Sequence, residues 1–394
     1  MAISFYILLP LVGKSESEGF QMFFKPALYM EAVKEMDFSS VECNLAFSGI
    51  VCPFSLAELG VTAKVLEKGD HHAYGNPDLK EEIARKYGVR PDQVLVPGGG
   101  SSLCNFLFAA ALLKPGEQAL VETPTYEPLL STIASTGAQI VALPRPAGRG
   151  FDIDFDEFCA LMHPPVKLAV LTRLHNPSGK DISVELLRCM GQKAEEIGAY
   201  VLVDEVYLDF LPADKCPPAA LIHPRLITTS SLTKVYGLGD LRLGWGIAPA
   251  DLIWQCWRIN NVLGVVPPAV PDQIALELFQ GGGLERILTW AKRRSREHWA
   301  IVEQFLSQIG SSASNRFGLQ WVKPDEGIFV FVRLTDGGEA DKFAAYLKDK
   351  YRTLIMPGRY FDQGDGFRLG FGTDPDELRE GLKRIGLAMK EFQR

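Results

Sequence analysis

No two cysteines in this 394-residue chain stand at a CxxC spacing, and the seven present, at 43, 52, 104, 159, 189, 216 and 256, are scattered and odd in number. That excludes a disulfide or zinc framework and reads as reduced thiols in the cytoplasm. With a formal net charge of −7 and a pI near 5.5, no nucleic-acid or anionic-lipid partner is expected. No apolar run is long enough to cross a bilayer. The segment Ile3–Val12 is too short, and it lacks the positive flank and small-residue cleavage site of a signal peptide. It reads as an arm on a partner subunit or as an overextended start of translation. Internal repeats and low-complexity linkers are absent as well. What is present is an ordinary globular composition, 47% hydrophobic and 23% charged, at a length that predicts two or three domains.

From Asp78 onward, helical and strand patterns alternate. Short continuous apolar runs (Gln93–Val96, Gln118–Val121, Gln139–Leu143, Lys167–Leu171, Tyr200–Val203, Leu226–Thr229, Leu243–Ala248) are separated by helical stretches such as Ser101–Leu113 and Val184–Ile197. Runs apolar on both faces belong to strands covered by helices on both sides. The expected fold is therefore α/β, with a large domain whose mostly parallel sheet is flanked by helices. After Gly281–Gly283 the pattern changes to a long helix over Leu284–Ile309, strand-like runs and a terminal helix over Asp376–Glu391. This predicts a smaller α+β domain. The expected division is residues 51–283 for the large domain and 1–50 with 284–394 for the small one.

In a mostly parallel sheet of this kind, functional groups collect in the loops at the carboxyl ends of strands. Five such loops carry chemistry, and each also has a plain structural reading. Lys234 follows the run Leu226–Thr229 in a loop with Ser230, Ser231 and Thr233, and Arg242 stands eight residues on. A lysine among hydroxyls is ordinarily a solvated side chain. Here its amine could bond an aldehyde, and the hydroxyls and Arg242 could hold a phosphate, which together describe pyridoxal 5′-phosphate (PLP). Pro97–Leu103, with Gly100, Ser101 and Ser102, joins a strand to a helix as an anion cradle would, or as many βα turns do. Asn176, in an Asn-Pro-Ser-Gly turn, could aim its amide at a ligand oxygen. Asp204 ends a buried strand. It could cap a helix or keep a pyridine nitrogen protonated, with Tyr207 reaching the same ring. Tyr126 could stack on a flat ring or belong to the core. In the small domain, Arg368 lies inside an apolar strand-like run. It could pair with an internal acid or with a substrate carboxylate.

Taken in order and spacing, these motifs make the chain resemble the class I/II aminotransferase family of PLP enzymes, the fold-type-I group that includes aspartate aminotransferase. The resemblance runs from about Asp78 to Gly370. It implies that Lys234 is the Schiff-base and proton-transferring lysine and that Asp204 partners the pyridine nitrogen. It further implies that Tyr207 and Asn176 bond the ring oxygen and that Tyr126 stacks on the ring. Gly100, Ser101, Ser102, Ser231, Thr233 and Arg242 would form the phosphate cup, and Arg368, with Gly49 nearby, would bind the substrate α-carboxylate. An amino group would move between an α-amino acid and a 2-keto acid, with no metal and in a homodimer. The same site could also serve a decarboxylase, lyase or cyclising synthase. Two departures stand out. The tyrosine that the neighbouring subunit lends to the phosphate falls near Asp70, so Tyr74, His71 or His72 would take its place. The stretch Leu263–Val270, where enzymes for acidic substrates carry an extra arginine, holds Pro267 and Pro268 and no cation.

Overall fold

The computed structural model describes residues 24–67, 72–213, 217–310, 318–335 and 339–392. The segment Ile3–Val12, together with Asp70 and His71, lies outside the described residues. The strands in chain order are β1 (Cys43–Asn44), β2 (Val94–Leu95), β3 (Gln118–Thr123), β4 (Gln139–Pro144), β5 (Val166–Thr172), β6 (Tyr200–Asp204) and β7 (Leu226–Ser231). They continue with β8 (Gly244–Ile247), β9 (Leu319–Trp321), β10 (Phe329–Leu334), β11 (Thr353–Leu354), β12 (Met356–Pro357) and β13 (Gly366–Gly370).

Seven strands form the main sheet in the order β2-β8-β7-β6-β5-β3-β4. All are parallel except β8, which runs antiparallel to both β7 and β2. Alternate residues of each central strand feed two separate cores, as the two-residue period of a strand requires. Leu168, Val170 and Leu202 pack with Leu107, Phe108 and Trp257 from the helices Gly100–Leu112 and Ala250–Leu263. Ala169, Leu171, Val201 and Val203 face the other way, onto Leu187, Met190 and Ala194 of the helix Val184–Glu196. The chain winds outward from β3 to β4 and then returns past β3 to β5, β6 and β7. The winding thus reverses at the β3/β5 junction, where a crevice opens above the strand ends.

A second, antiparallel sheet has the order β12-β13-β10-β9, and β1 pairs in parallel with β11. The helices Gly283–Gly310, Ala340–Tyr351 and Pro375–Glu391 cover it, burying Phe343, Leu347, Leu382 and Ile385 with Phe329 and Phe367. The helix of 28 residues from Gly283 is about 42 Å long at 1.5 Å per residue. The β1–β11 pair carries the segment after Asn44 across to the end of β13, where Gly370 N–H donates to Leu45 O at 2.7 Å. Between the two sheets in chain order come two helices, Ala250–Leu263, packed on the helix Gly100–Leu112, and Ala269–Gln280, packed on the helix Pro77–Tyr87. They were not distinguished in the sequence, and neither was the N-terminal helix Leu28–Glu35.

Candidate active site

Register places three polar strand ends side by side. Thr172 at the end of β5 is opposite Asp204 at the end of β6, and Asp204 is opposite Thr229 of β7. Above them lies a cavity of about 390 Å³. Of the residues singled out in the sequence, Ser101, Ser102, Tyr126, Asn176, Asp204, Tyr207, Ser231, Thr233, Lys234 and Arg242 line it.

Asp204 is buried. Asn105 Nδ2 donates to its Oδ2 at 2.8 Å and Val206 N–H donates to Oδ1 at 3.3 Å. Thr229 Oγ1 donates to Asn105 Oδ1 at 2.6 Å and fixes which end of the amide faces the acid. Burial pushes the Asp204 carboxyl up, against the pull of these two bonds and of Lys234. No cationic side chain among the described residues comes within ion-pair distance of it. A buried carboxylate held by two neutral donors is costly without a cation.

Lys234 Nζ donates to Ser48 Oγ at 2.8 Å. Burial and the nearby Arg368 and Arg242 guanidinium groups pull its pKa down to about 8, while Asp204 acts in the opposite sense. The amine is thus poised to lose its proton near neutral pH. Tyr207 is buried with its ring edge-on to Phe329 at 4.9 Å, and its hydroxyl donates to Ser48 O at 2.8 Å.

Arg368, in the middle of β13, is fully buried. Nη1 donates to Asn176 Oδ1 at 2.9 Å, and Nη2 donates to Ala46 O at 2.9 Å and to Tyr29 Oη at 3.0 Å. Rings of Tyr29, Phe329 and Phe361 surround the guanidinium. The internal acid that an ordinary structural arginine would have is not among its described partners, and its Nε is buried without an acceptor. By claiming Oδ1, Arg368 turns the Nδ2 donor of Asn176 toward the cavity. The main chain of Asn176 is tied in turn, donating to Thr172 Oγ1 at 3.0 Å. Thr172 is held by Glu122, which pairs with buried Arg145 at 2.6 Å.

The helix Gly100–Leu112 begins at the cavity wall with Gly98, Gly99 and Gly100 all at positive φ. Its first-turn N–H groups, including those of Ser101 and Ser102, have no partner within the helix. Gly100 itself stands just outside the lining, its N–H donating to Arg242 O at 2.6 Å. Gly244 allows this close approach, because a Cβ there would fall 2.3 Å from Ser101 N. Arg242 takes a left-handed backbone (φ 48°) and lays its guanidinium on Gly99 O at 3.1 Å. Ser231, opposite Gly244 in the β7–β8 pair, and Thr233 add hydroxyls to the lining, and Thr233 N–H donates to Ser231 Oγ at 3.3 Å.

Arg368 stands just outside the lining, behind Asn176, and three further expected residues lie elsewhere. Gly49 does not line the cavity. It abuts the end of β13, and a Cβ on Gly372 would fall 2.0 Å from Gly49 O. Tyr74 is exposed and packs on Trp254 and Trp257 at 5.3 and 5.6 Å, outside its own chain's cavity. His72 is likewise not part of the lining. The structure adds residues that the sequence reading passed over: Ser48, Asn105, Thr172 and Met30. Asn105 had a visible signal, as a polar residue four positions after Ser101 in an otherwise apolar helix. Tyr126 packs edge-on to Tyr29 at 5.0 Å, which brings the helix Leu28–Glu35 over the site.

Residues 56–385 match the family described as aminotransferase class I and II. The chain belongs to that family. It is 29% identical over 322 residues to capreomycidine synthase of Streptomyces vinaceus, covering 80% of this chain and 79% of that protein. It is 26% identical over 333 residues to an arginine–pyruvate transaminase of Pseudomonas aeruginosa, covering 81% of each. The fold superposes on a PLP-dependent aminotransferase from Streptococcus suis with a TM-score of 0.84 at 23% identity, covering 94% of this chain and 99% of that one. The chain is thus an enzyme of a PLP-dependent family, with the aspartate aminotransferase-like fold. No helix among the described residues is long and apolar enough to cross a membrane.

The site's donor set fits PLP. Asp204, buried without a cationic partner, matches the protonated ring nitrogen of the cofactor. The first turn of the helix Gly100–Leu112, with Ser231, Thr233 and Arg242, matches a phosphate.

Proposed function

We propose that this enzyme is an aminotransferase that moves an amino group between an α-amino acid and a 2-keto acid. Lys234 would bond the cofactor aldehyde, Asp204 would partner its ring nitrogen, Asn176 and Tyr207 its ring oxygen, and Tyr126 its ring face. Ser101, Ser102, Ser231, Thr233 and Arg242, over Gly100, would hold its phosphate. When bound, PLP supplies an electron sink for charge that develops at the substrate α-carbon. The protein does the rest. Arg368, whose Nε is the donor left without an acceptor, binds the substrate carboxylate. Asp204 holds negative charge in a buried place, which favours a protonated partner. Lys234, as a neutral amine, takes the proton from the substrate α-carbon and, once charged, would deliver it as an acid to the former aldehyde carbon of the cofactor, which is what moves the amino group. The single observation that carries this reading is the trio around the cavity. A lysine with a depressed pKa stands near a buried acid and a buried guanidinium that have no ion-pair partners among the described residues.

Borohydride treatment of the PLP-loaded protein should add cofactor mass to the peptide bearing Lys234. Amino donors should convert the bound cofactor to pyridoxamine phosphate with release of a keto acid. Lys234→Ala protein that transaminates at the wild-type rate would refute the assignment. The likeness to capreomycidine synthase favours a second reading, in which the same site carries out a synthase reaction. That reading predicts an altered amino acid and no accumulation of pyridoxamine phosphate.

We further propose a homodimer in which Tyr74 serves the partner's phosphate. Val262, 82% exposed, continues through Leu263, Val265 and Val266 into an apolar surface beside the cup, where a Cβ on Gly98 would touch Pro268. The proposed domain division is 51–283 against 1–50 with 284–394, with Gly49 near the substrate carboxylate at the junction. A cytoplasmic setting is in keeping with the free thiols of the six described cysteines.

A further inference from the structure

The segment Ala46–Ile50 touches three groups of the site at once. Ala46 O accepts from Arg368, Ser48 O accepts from Tyr207, and Ile50 N–H donates to Lys234 O at 3.1 Å. The segment is also pinned from behind. Gly370 N–H donates to Leu45 O, Val51 N–H donates to Gly372 O, and a Cβ on Gly370 would fall 2.1 Å from Phe47 O. A segment so tightly packed fixes the direction of its one polar side chain, that of Ser48, which is buried and bonded to Lys234 Nζ at 2.8 Å.

We propose that Ser48 is a positioning residue for Lys234, its hydroxyl accepting a hydrogen bond from the free amine and holding it in place for proton transfer at the substrate α-carbon. An amine that donates one N–H to Ser48 Oγ keeps its lone pair for the substrate, and its swing on a four-carbon stem is restricted. The groups that act on this amine are the Arg368 and Arg242 guanidinium groups and the Asp204 carboxylate. Because Ser48 sits on the segment that also meets Arg368, the amine and the carboxylate binder share one rigid mount. The inference rests on Lys234 being the cofactor-bonding lysine.

The test uses full-length wild type, Ser48→Ala and Ser48→Thr. In protein stripped of cofactor, trace acylation across pH, read by mass spectrometry on the peptide bearing Lys234, gives the midpoint at which its amine becomes reactive. An acceptor stabilises an ammonium more than a neutral amine. Its loss in Ser48→Ala should therefore lower the midpoint by about half a unit to one unit. In the loaded enzyme, kcat should fall about fivefold with KM unchanged, the size of one net hydrogen bond. Ser48→Thr keeps the hydroxyl and should restore both. The bond from Tyr207 goes to the Ser48 main chain and survives every variant, so a loss of folding is not expected; thermal melts check this. An unmoved midpoint or an unmoved kcat in Ser48→Ala overturns the proposal. Borohydride trapping separates the two levels. No adduct at Lys234 in wild type sinks the proposed function, whereas an adduct with an unmoved midpoint sinks only the role of Ser48.

Discussion

Arg368→Met is the most informative single substitution, because the structure predicts a large loss of activity with almost no change in stability. The guanidinium is fully buried among the rings of Tyr29, Phe329 and Phe361 without a carboxylate. Removing it relieves an unpaired charge whose effective burial cost is several kcal/mol. Against that, Asn176 Oδ1, Tyr29 Oη and Ala46 O each lose a charged donor, worth about 1–3 kcal/mol apiece. The two sides are of similar size, and Met fills the aromatic box, so the melting temperature of the variant should stay within a few degrees of wild type. Activity should not. A substrate carboxylate left without its buried partner costs about 2–5 kcal/mol, or roughly 30- to 4,000-fold in kcat/KM. The assay pairs thermal melts with kcat/KM on an α-amino acid and on the corresponding amine lacking the carboxylate. The amine removes the other half of the interaction, so wild type and variant should handle it equally poorly. A variant within threefold of wild type on the amino acid, or one equally impaired on the amine, would refute the assignment of Arg368.

The remaining predictions concern charge and assembly. In cofactor-free protein the Lys234 amine should titrate near 8, so its neutral fraction rises from about a tenth at pH 7 to about nine-tenths at pH 9; acylation of its peptide against pH checks this. The signs of the neighbours follow: Asp204→Asn removes a charge that raises this midpoint and should lower it, and Arg368→Met should raise it. Asp204→Asn should also cut transamination by at least about a hundredfold in single-turnover assays, since no other described acid lines the cavity to hold the ring proton. Asn105→Ala frees Asp204 Oδ2 and should weaken cofactor binding about tenfold in equilibrium titration while leaving the fold intact. If the proposed homodimer forms through the exposed apolar surface, Val262→Glu with Val266→Glu should shift its sedimentation toward that of a monomer.

What could be read in the sequence follows from what a strand reveals locally. The central runs Lys167–Leu171 and Tyr200–Val203 are apolar on both faces, which announces a covered sheet, and the polar groups just past them mark the site. Direction is not local. The run Leu243–Ala248 looks like its neighbours, and only pairing with β7 and β2 shows that β8 runs the other way. The helix Leu28–Glu35 escaped notice because it has eight residues and no side-chain cap. Ser48 gave no signal at all, because its meaning depends on β1 pairing with β11, about 310 positions away in the chain.

Asp204 and Arg368 would neutralise each other if they met. They stand instead on different sheets, β6 and β13, and pull the Lys234 amine in opposite senses. A chain selected for stability alone would pair or remove them. Their separation makes sense if each waits for part of a ligand, and that has a thermal consequence. A simple carboxylate that mimics the substrate but lacks its amine should stabilise the cofactor-loaded protein by RT ln(1 + [L]/Kd), about 2.7 kcal/mol at a hundredfold excess over Kd. The corresponding neutral amide should stabilise it far less. In Arg368→Met the difference between acid and amide should vanish, because the guanidinium that distinguishes them is gone. Equal stabilisation of wild type and Arg368→Met by the carboxylate would mean that the substrate's charge is read elsewhere, and that the orphaned Nε of Arg368 has a purely structural cause.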